Sequence, residues 1–220
     1  MNRLCLALLA GAALACTCFP LAQAAGDKKD DETKDRGKWV QIFNGKDIEG
    51  WKTSPPEQLE KSWFVDEGIL YSKGKAASHL FSPRDDYENF HYRIEAKISD
   101  KGNSGQYFRT KFGPGYPKGY EAQINSNFPD PQKTGSLYNF VKITEMLVKP
   151  DTWFVQEVIA DGNHIQIFVN GKKTADHIDE KNTYTRGHFA IQQHGPAAGG
   201  PDVVVALKKI EVKELPTTKK

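Results

Sequence analysis

The clearest order along the chain is an alternation of apolar and polar positions with a period of two. Phe90, Tyr92, Ile94, Ala96 and Ile98 are apolar, with His91, Arg93, Glu95 and Lys97 between them. That spacing puts the two sets on opposite faces of an extended chain and predicts a half-buried strand. Ile165, Ile167 and Val169 repeat the pattern between Asp161-Gly162-Asn163 and Asn170-Gly171. Asn-Gly after an alternating run predicts a hairpin, because both central residues of a type I′ turn need positive φ. Trp153, Val155, Glu157 and Ile159 predict the strand before it. Residues 63–65 and 69–71 flank Asp66-Glu67-Gly68 as another hairpin, and the β-branched run at 203–212 predicts a final strand. Helical spacing is nearly absent, and residues 56–61 support one short turn. Many short strands separated by Gly-containing turns predict an all-β antiparallel sandwich or barrel.

The two ends break the pattern. Residues 1–24 carry Arg3, an apolar stretch over 4–15 and the small-x-small triplet Ala22-Gln23-Ala24. This is the layout of a secretory signal. The apolar run is short for a span of about 20 residues, and Pro20 interrupts its end. Export to the periplasm or the medium is therefore expected, with no membrane span; a lipid anchor on Cys16 is the alternative. Residues 25–38 mix both charge signs without periodicity and read as a solvated, disordered linker. Residues 216–220 form a polar tail, which leaves 39–215 as the folded domain.

Composition narrows the chemistry. All three Cys (Cys5, Cys16 and Cys18) lie in the leader, and its removal leaves 196 residues without a thiol. A disulfide framework, a thiol nucleophile and a Cys-ligated metal are thus excluded from the exported domain. A net charge of +2 is too balanced for a dedicated nucleic-acid binder.

Two strands carry the candidate chemistry. In a strand from Gln106, Tyr107 and Arg109 share one face and Phe108 takes the other. Over residues 119–125, Glu121, Gln123 and Asn125 share a polar face, opposite Tyr120, Ala122 and Ile124. If the polar faces coincide, Tyr107, Arg109, Glu121 and Gln123 line one surface. Amide, carboxylate and guanidinium groups beside a Tyr ring suit a sugar. A solvated sheet face with an Arg–Glu pair is the plainer alternative. His194 ends the apolar strand of Phe189 and Ile191 beside Gly195, and imidazole suits proton transfer near neutral pH. His79, His91, His164, His177 and His188 have no ligand-like spacing, and no HExxH, EF-hand, P-loop or dinucleotide fingerprint occurs. Ser104 lacks the Gly-x-Ser-x-Gly setting of a nucleophile. Asp85, Asp86 and Asp130 are loop carboxylates that fit solvated charge; Ca²⁺ held by loop oxygens is the alternative, but no spacing identifies a site, so no cofactor or metal is expected.

Phe43-Asn44-Gly45-Lys46-Asp47-Ile48-Glu49-Gly50-Trp51 resembles the opening motif of the bacterial 3-keto-disaccharide hydrolase domain family, formerly domain of unknown function 1080. Four further blocks match in order. They are Trp63 with residues 66–70, Asn103-Ser104-Gly105 with Phe108-Arg109, residues 119–124, and Asn170-Gly171 with residues 187–195. The resemblance spans about residues 39–215. It implies a jelly-roll sandwich of the concanavalin A-like lectin and glucanase type, with the ligand on the concave sheet. The chain departs from the family pattern at Asn125, where Asp is common, at Phe154, and at Leu207-Lys208-Lys209.

The resemblance also implies a reaction. The C3 carbonyl of a 3-keto-glycoside acidifies the C2 proton; a base removes it, the aglycone leaves C1, and water adds to the intermediate. Such a route needs a base, an acid and a group that stabilises the enolate. Glu121 is the expected base, His194 the acid and Arg109 the enolate stabiliser. Asn103, Tyr107, Tyr120, Gln123 and Gln193 are expected to bind substrate. Without a nicotinamide motif, a separate oxidoreductase must supply the keto sugar. Conventional glycoside hydrolysis is an alternative, but it uses two carboxylates roughly 5–10 Å apart; the matched blocks offer Glu121 no partner, and Glu95 and Glu145 are unplaced candidates. A lectin-like sugar-binding module and a structural envelope protein are the non-enzymatic alternatives.

Overall fold

The computed structural model describes residues 37–216. The expected leader, nearly all of the charged linker and nearly all of the tail lie outside the described residues. In chain order the strands are β1 (Val40–Gln41), β2 (Lys52–Ser54), β3 (Trp63–Asp66), β4 (Ile69–Gly74), β5 (Ser78–Phe81) and β6 (Phe90–Ile98). Then come β7 (Gly102–Lys111), β8 (Lys118–Ser126), β9 (Phe154–Asp161), β10 (His164–Val169), β11 (Lys172–Ile178), β12 (His188–Gln193) and β13 (Val203–Glu214). One short helix, α1 (Gln58–Ser62), realises the expected turn two residues late.

The strands form two antiparallel sheets. One is ordered β11-β10-β9-β6-β13-β4-β3, with β1 added beside β13; the other is ordered β2-β5-β12-β7-β8. This is the expected β-sandwich. Strand β6 alternates buried and half-buried residues along its whole length, as its period-two pattern requires. Its apolar set meets the inner face of the five-stranded sheet. There the Phe189 ring stacks between Tyr92 at 3.9 Å and Tyr87 at 4.1 Å, and Phe108 stacks on Tyr120 at 5.4 Å. Each buried ring contributes roughly 2–3 kcal/mol through the apolar surface it removes from water.

The outer face of the five-stranded sheet is walled by the long β8–β9 connection. Residues 135–138 track the free edge of β8: Gln123 N donates to Ser136 O at 2.9 Å, Gly135 N to Gln123 O at 3.1 Å and Tyr138 N to Glu121 O at 2.9 Å. The pairing covers an edge that would otherwise expose unpaired backbone groups. It also sets Tyr138 directly beside Glu121.

Candidate active site

Strand register decides which side chains meet. Tyr107 pairs with Glu121, Gly105 with Gln123 and Asn103 with Asn125. Tyr120, Ala122 and Ile124 are fully buried in the core, so Asn103, Tyr107, Glu121 and Gln123 lie on the outer face, as the alternation predicts. Gln192 of β12 and His194 just beyond it continue this face. Together these six line a cavity of about 530 Å³. Its walls come from the β7–β8 turn (Tyr116), the β8–β9 connection (Phe128, Asp130, Tyr138 and Phe140) and the β11–β12 loop (Thr183 and Tyr184).

The Glu121 carboxyl lies over Gly105. A Cβ there would stand 2.1 Å from Glu121 Oε1 and 2.8 Å from the Tyr107 ring, so a side chain at this position would displace the carboxyl. Desolvation raises the Glu121 pKa to about 8; the Tyr107 hydroxyl, hydrogen-bonded to it, pulls the other way, and the Asp130 charge adds to the rise. Few groups in the cavity stabilise a charge on Glu121, so its carboxylate binds a proton strongly.

Asp130 is held from two sides. Its Oδ1 accepts from Gln132 N at 2.7 Å, and its Oδ2 accepts from the Tyr138 hydroxyl at 2.7 Å. That hydrogen bond is the main reason the Tyr138 pKa is pushed up to about 12. The turn beneath Asp130 is pinned by Asn125, whose Nδ2 donates to Asp130 O at 3.0 Å and Gln132 O at 2.9 Å. The Lys133 ammonium caps the same turn, donating to Phe128 O at 2.6 Å, Asp130 O at 2.8 Å and Asn125 Oδ1 at 3.3 Å. Asn125, where the family pattern commonly has Asp, therefore works through its amide donor. Among the described residues, no group of three or more His, Cys, Asp or Glu is placed to hold a metal ion.

His194 faces the cavity rim. Its Nδ1 lies 2.6 Å from Gly195 O, which assigns the proton to Nδ1 and leaves the Nε2 lone pair toward the Tyr116 hydroxyl at 3.4 Å. His79 of β5 stands behind it, buried and with its ring edge-on to Tyr107 at 5.2 Å. Burial, aided by the neighbouring His194, lowers the His79 pKa to about 4 and keeps it neutral. Gln192 Nε2 bridges His79 Nε2 and the Tyr107 hydroxyl, at 3.2 Å to each.

Three expected site residues lie elsewhere. Between Phe108 and Lys111 the register shifts, so Arg109 and Thr110 stand against a single position of β8. Arg109 adopts φ +50° in this bulge, and Gly119 and Gly187 make room for it, since a Cβ at either would meet Thr110 within 2.6 Å. A bulge re-aims a side chain. Arg109 turns away from Tyr107, only 2% exposed, and donates to Glu88 O through Nε at 2.8 Å and Nη2 at 2.6 Å, and to Tyr184 O at 3.3 Å. Tyr120 faces the interior, as its parity requires, and its hydroxyl donates to Asp179 and accepts from Tyr184 N. Both residues brace the β11–β12 loop that walls the cavity. Gln193 also points inward: its Oε1 accepts from Ser72 and its Nε2 donates to Gly74 O at 3.0 Å.

His79, Gln192, Asp130 and Tyr138 were missed. The parity of Phe189 and Ile191 was the available signal for Gln192. His79 sits on a four-residue strand too short to show alternation. The departures at Phe154 and Leu207 are core positions, and Lys208 covers Trp153 at 4.0 Å in the eight-stranded sheet's region, so none of them lines the cavity.

The two sheets make a β-sandwich with a polar, aromatic-walled cavity on the outer face of the five-stranded sheet. Residues 38–213 match the model of the 3-keto-alpha-glucoside-1,2-lyase-like domain, and the chain belongs to that family. A 3-keto-disaccharide hydrolase of Bacteroides thetaiotaomicron is 24% identical over 146 residues, covering 53% of this chain and 50% of that protein. The chain thus spans about half the length of this curated relative. A candidate glycosyl hydrolase of Parabacteroides distasonis has a similar crystal structure, with a TM-score of 0.67, 23% identity, and coverage of 86% of this chain and 97% of that one. The carbohydrate-binding module CBM66 of Bacillus subtilis superposes with a TM-score of 0.52 at 14% identity, over 81% of this chain and 96% of that one. These two likenesses concern the fold.

Proposed function

We propose that the protein is an exported hydrolase that cleaves 3-keto-glycosides by C2 deprotonation, elimination and hydration. The observation that carries this reading is the desolvated carboxyl of Glu121 on the cavity floor. A carboxylate whose pKa is raised toward the working pH is a stronger base for a carbon acid than an ordinary one. Glu121 takes the C2 proton. The enolate that forms at the C3 oxygen needs a hydrogen-bond donor, and Arg109 is too far into the bulge corner to serve. Gln123 takes that place: its Oε1 accepts from Ile124 N at 3.2 Å, which leaves its NH₂ as the donor. His194, when protonated on Nε2 as well, donates to the leaving oxygen. Asn103 and the rings of Tyr107 and Tyr116 position the sugar. A separate oxidoreductase, acting before this protein, makes the keto sugar.

Conventional glycoside hydrolysis gains one point from the structure, since Asp130 shares the cavity with Glu121. The two readings part on substrate. Incubation with a 3-keto-glucoside and its parent glucoside should release aglycone from the keto compound alone. Equal cleavage of both would favour the conventional route, and retention of plain glycans without cleavage of either would favour a binding module.

A further inference from the structure

We infer that Asp130 is a second catalytic residue, the general base that activates water in the hydration half of the reaction, while Glu121 serves the elimination half. The inference rests on the reaction proposed above and adds a role to a residue of the same cavity. Elimination and hydration make different demands. The first needs a base at C2 on one face of the sugar, and the second needs a base beside a water at C1. The cavity holds one carboxyl on its floor and one on its wall, carried by separate elements: Glu121 on β8 and Asp130 on the β8–β9 connection. Asp130 is oriented as a working base would be. One oxygen is anchored by Gln132 N, the other by the Tyr138 hydroxyl, and the turn below is held by Asn125 and Lys133. A solvated loop carboxylate has no need of so many supports. Each carboxylate oxygen also has a second lone pair, which remains for a water.

The proton balance closes. In elimination Glu121 takes the C2 proton, the C1–O bond breaks, and the leaving oxygen takes a proton from His194. In hydration the water oxygen bonds to C1 while Asp130 takes its proton. The electron pair of the C1=C2 bond moves toward C2, which receives the proton held by Glu121. Asp130 then returns its proton to His194, and no oxidant or reductant is consumed.

The test uses a 3-keto-glucoside with a nitrophenyl aglycone, reading nitrophenol release and the ultraviolet absorbance of the conjugated enone separately. Asp130→Asn should slow hydration about 100-fold more than aglycone release, the usual scale for loss of a general base, so that enone accumulates. Tyr138→Phe keeps the carboxylate but frees its orientation, and should accumulate enone to a smaller extent; it carries the test if Asp130→Asn does not fold. Active wild type, with Asp130→Asn and Tyr138→Phe both free of enone, overturns the role of Asp130 alone. A wild-type protein that releases no nitrophenol overturns the proposed reaction and this role with it.

Discussion

Two ionisable groups on neighbouring strands, Arg109 buried and Glu121 half-buried on the cavity floor, behave in opposite ways. Arg109, in the bulge corner, spends its guanidinium on the carbonyls of Glu88 and Tyr184 and on Asn89 Oδ1. Glu121, on the cavity floor, has a Tyr107 hydroxyl and little else against its desolvation. A buried charge with its hydrogen bonds satisfied is a brace, and its removal is felt as lost stability. A desolvated carboxyl left short of partners keeps its proton tightly and is available for chemistry. Sequence alone puts the two residues on one face as a pair, whereas the fold gives one to structure and the other to the cavity.

The sharpest way to break this contrast is Glu121→Gln. It should lower turnover of a 3-keto-glucoside by about 10²–10⁴-fold, the range for loss of a general base, while the melting temperature holds or rises. Undiminished turnover would sink the role assigned to Glu121. In the wild type kcat/KM should be bell-shaped in pH, with one limb near 8, because Glu121 must be ionised while His194 carries the proton it donates. A profile with no limb near 8 would contradict the raised titration assigned to Glu121.

Arg109→Met should do the reverse. It should cost about 3 kcal/mol in chemical denaturation by leaving buried carbonyls unpaired. The loss of activity should follow the loss of folded protein, since the guanidinium does not reach the cavity. A well-folded variant with no turnover would return Arg109 to the site.

Gly105→Ala sharpens the point further. The new methyl must displace the Glu121 carboxyl, so turnover should fall roughly 10–100-fold, as small misplacements of reacting groups do. Stability should change less than for Arg109→Met. Turnover equal to wild type would show that the carboxyl has no fixed post above Gly105.

The raised Glu121 pKa also makes stability depend on pH. The native state keeps a proton on Glu121 up to about 8, while the unfolded chain releases it near 4.5. Between those values the folded state binds more protons, so raising the pH lowers stability, with a slope of at most one proton. Denaturation midpoints of wild type and Glu121→Gln across this window should converge at low pH and separate at high pH, with the variant the more stable. Parallel curves would mean that Glu121 titrates normally.

Much of the fold was legible because period-two alternation is a direct image of a half-buried strand. The β6 pattern and the Asn170-Gly171 and Asp66-Glu67-Gly68 hairpins carried over residue by residue. Alternation also placed Glu121 and Gln123 together, and it put Tyr120 on the far side. It failed at Arg109 because a bulge inserts one residue and inverts the parity after Phe108. The only local trace of that bulge is the pair Gly119 and Gly187, whose meaning depends on strands meeting in space. Asp130 was illegible for a related reason. It sits on a long connection whose path is set by backbone pairing with β8 and by the Lys133 cap, and no spacing in the chain encodes either.

The most direct test of the account is an intermolecular competition between a 3-keto-glucoside and the same compound deuterated at C2. If Glu121 removes the C2 proton in the committed step, the unreacted substrate will become enriched in deuterium as the reaction proceeds, and Glu121→Gln will cleave both compounds far more slowly. Equal consumption of both isotopologues by an active wild-type protein would contradict the account and leave the cavity to a different chemistry.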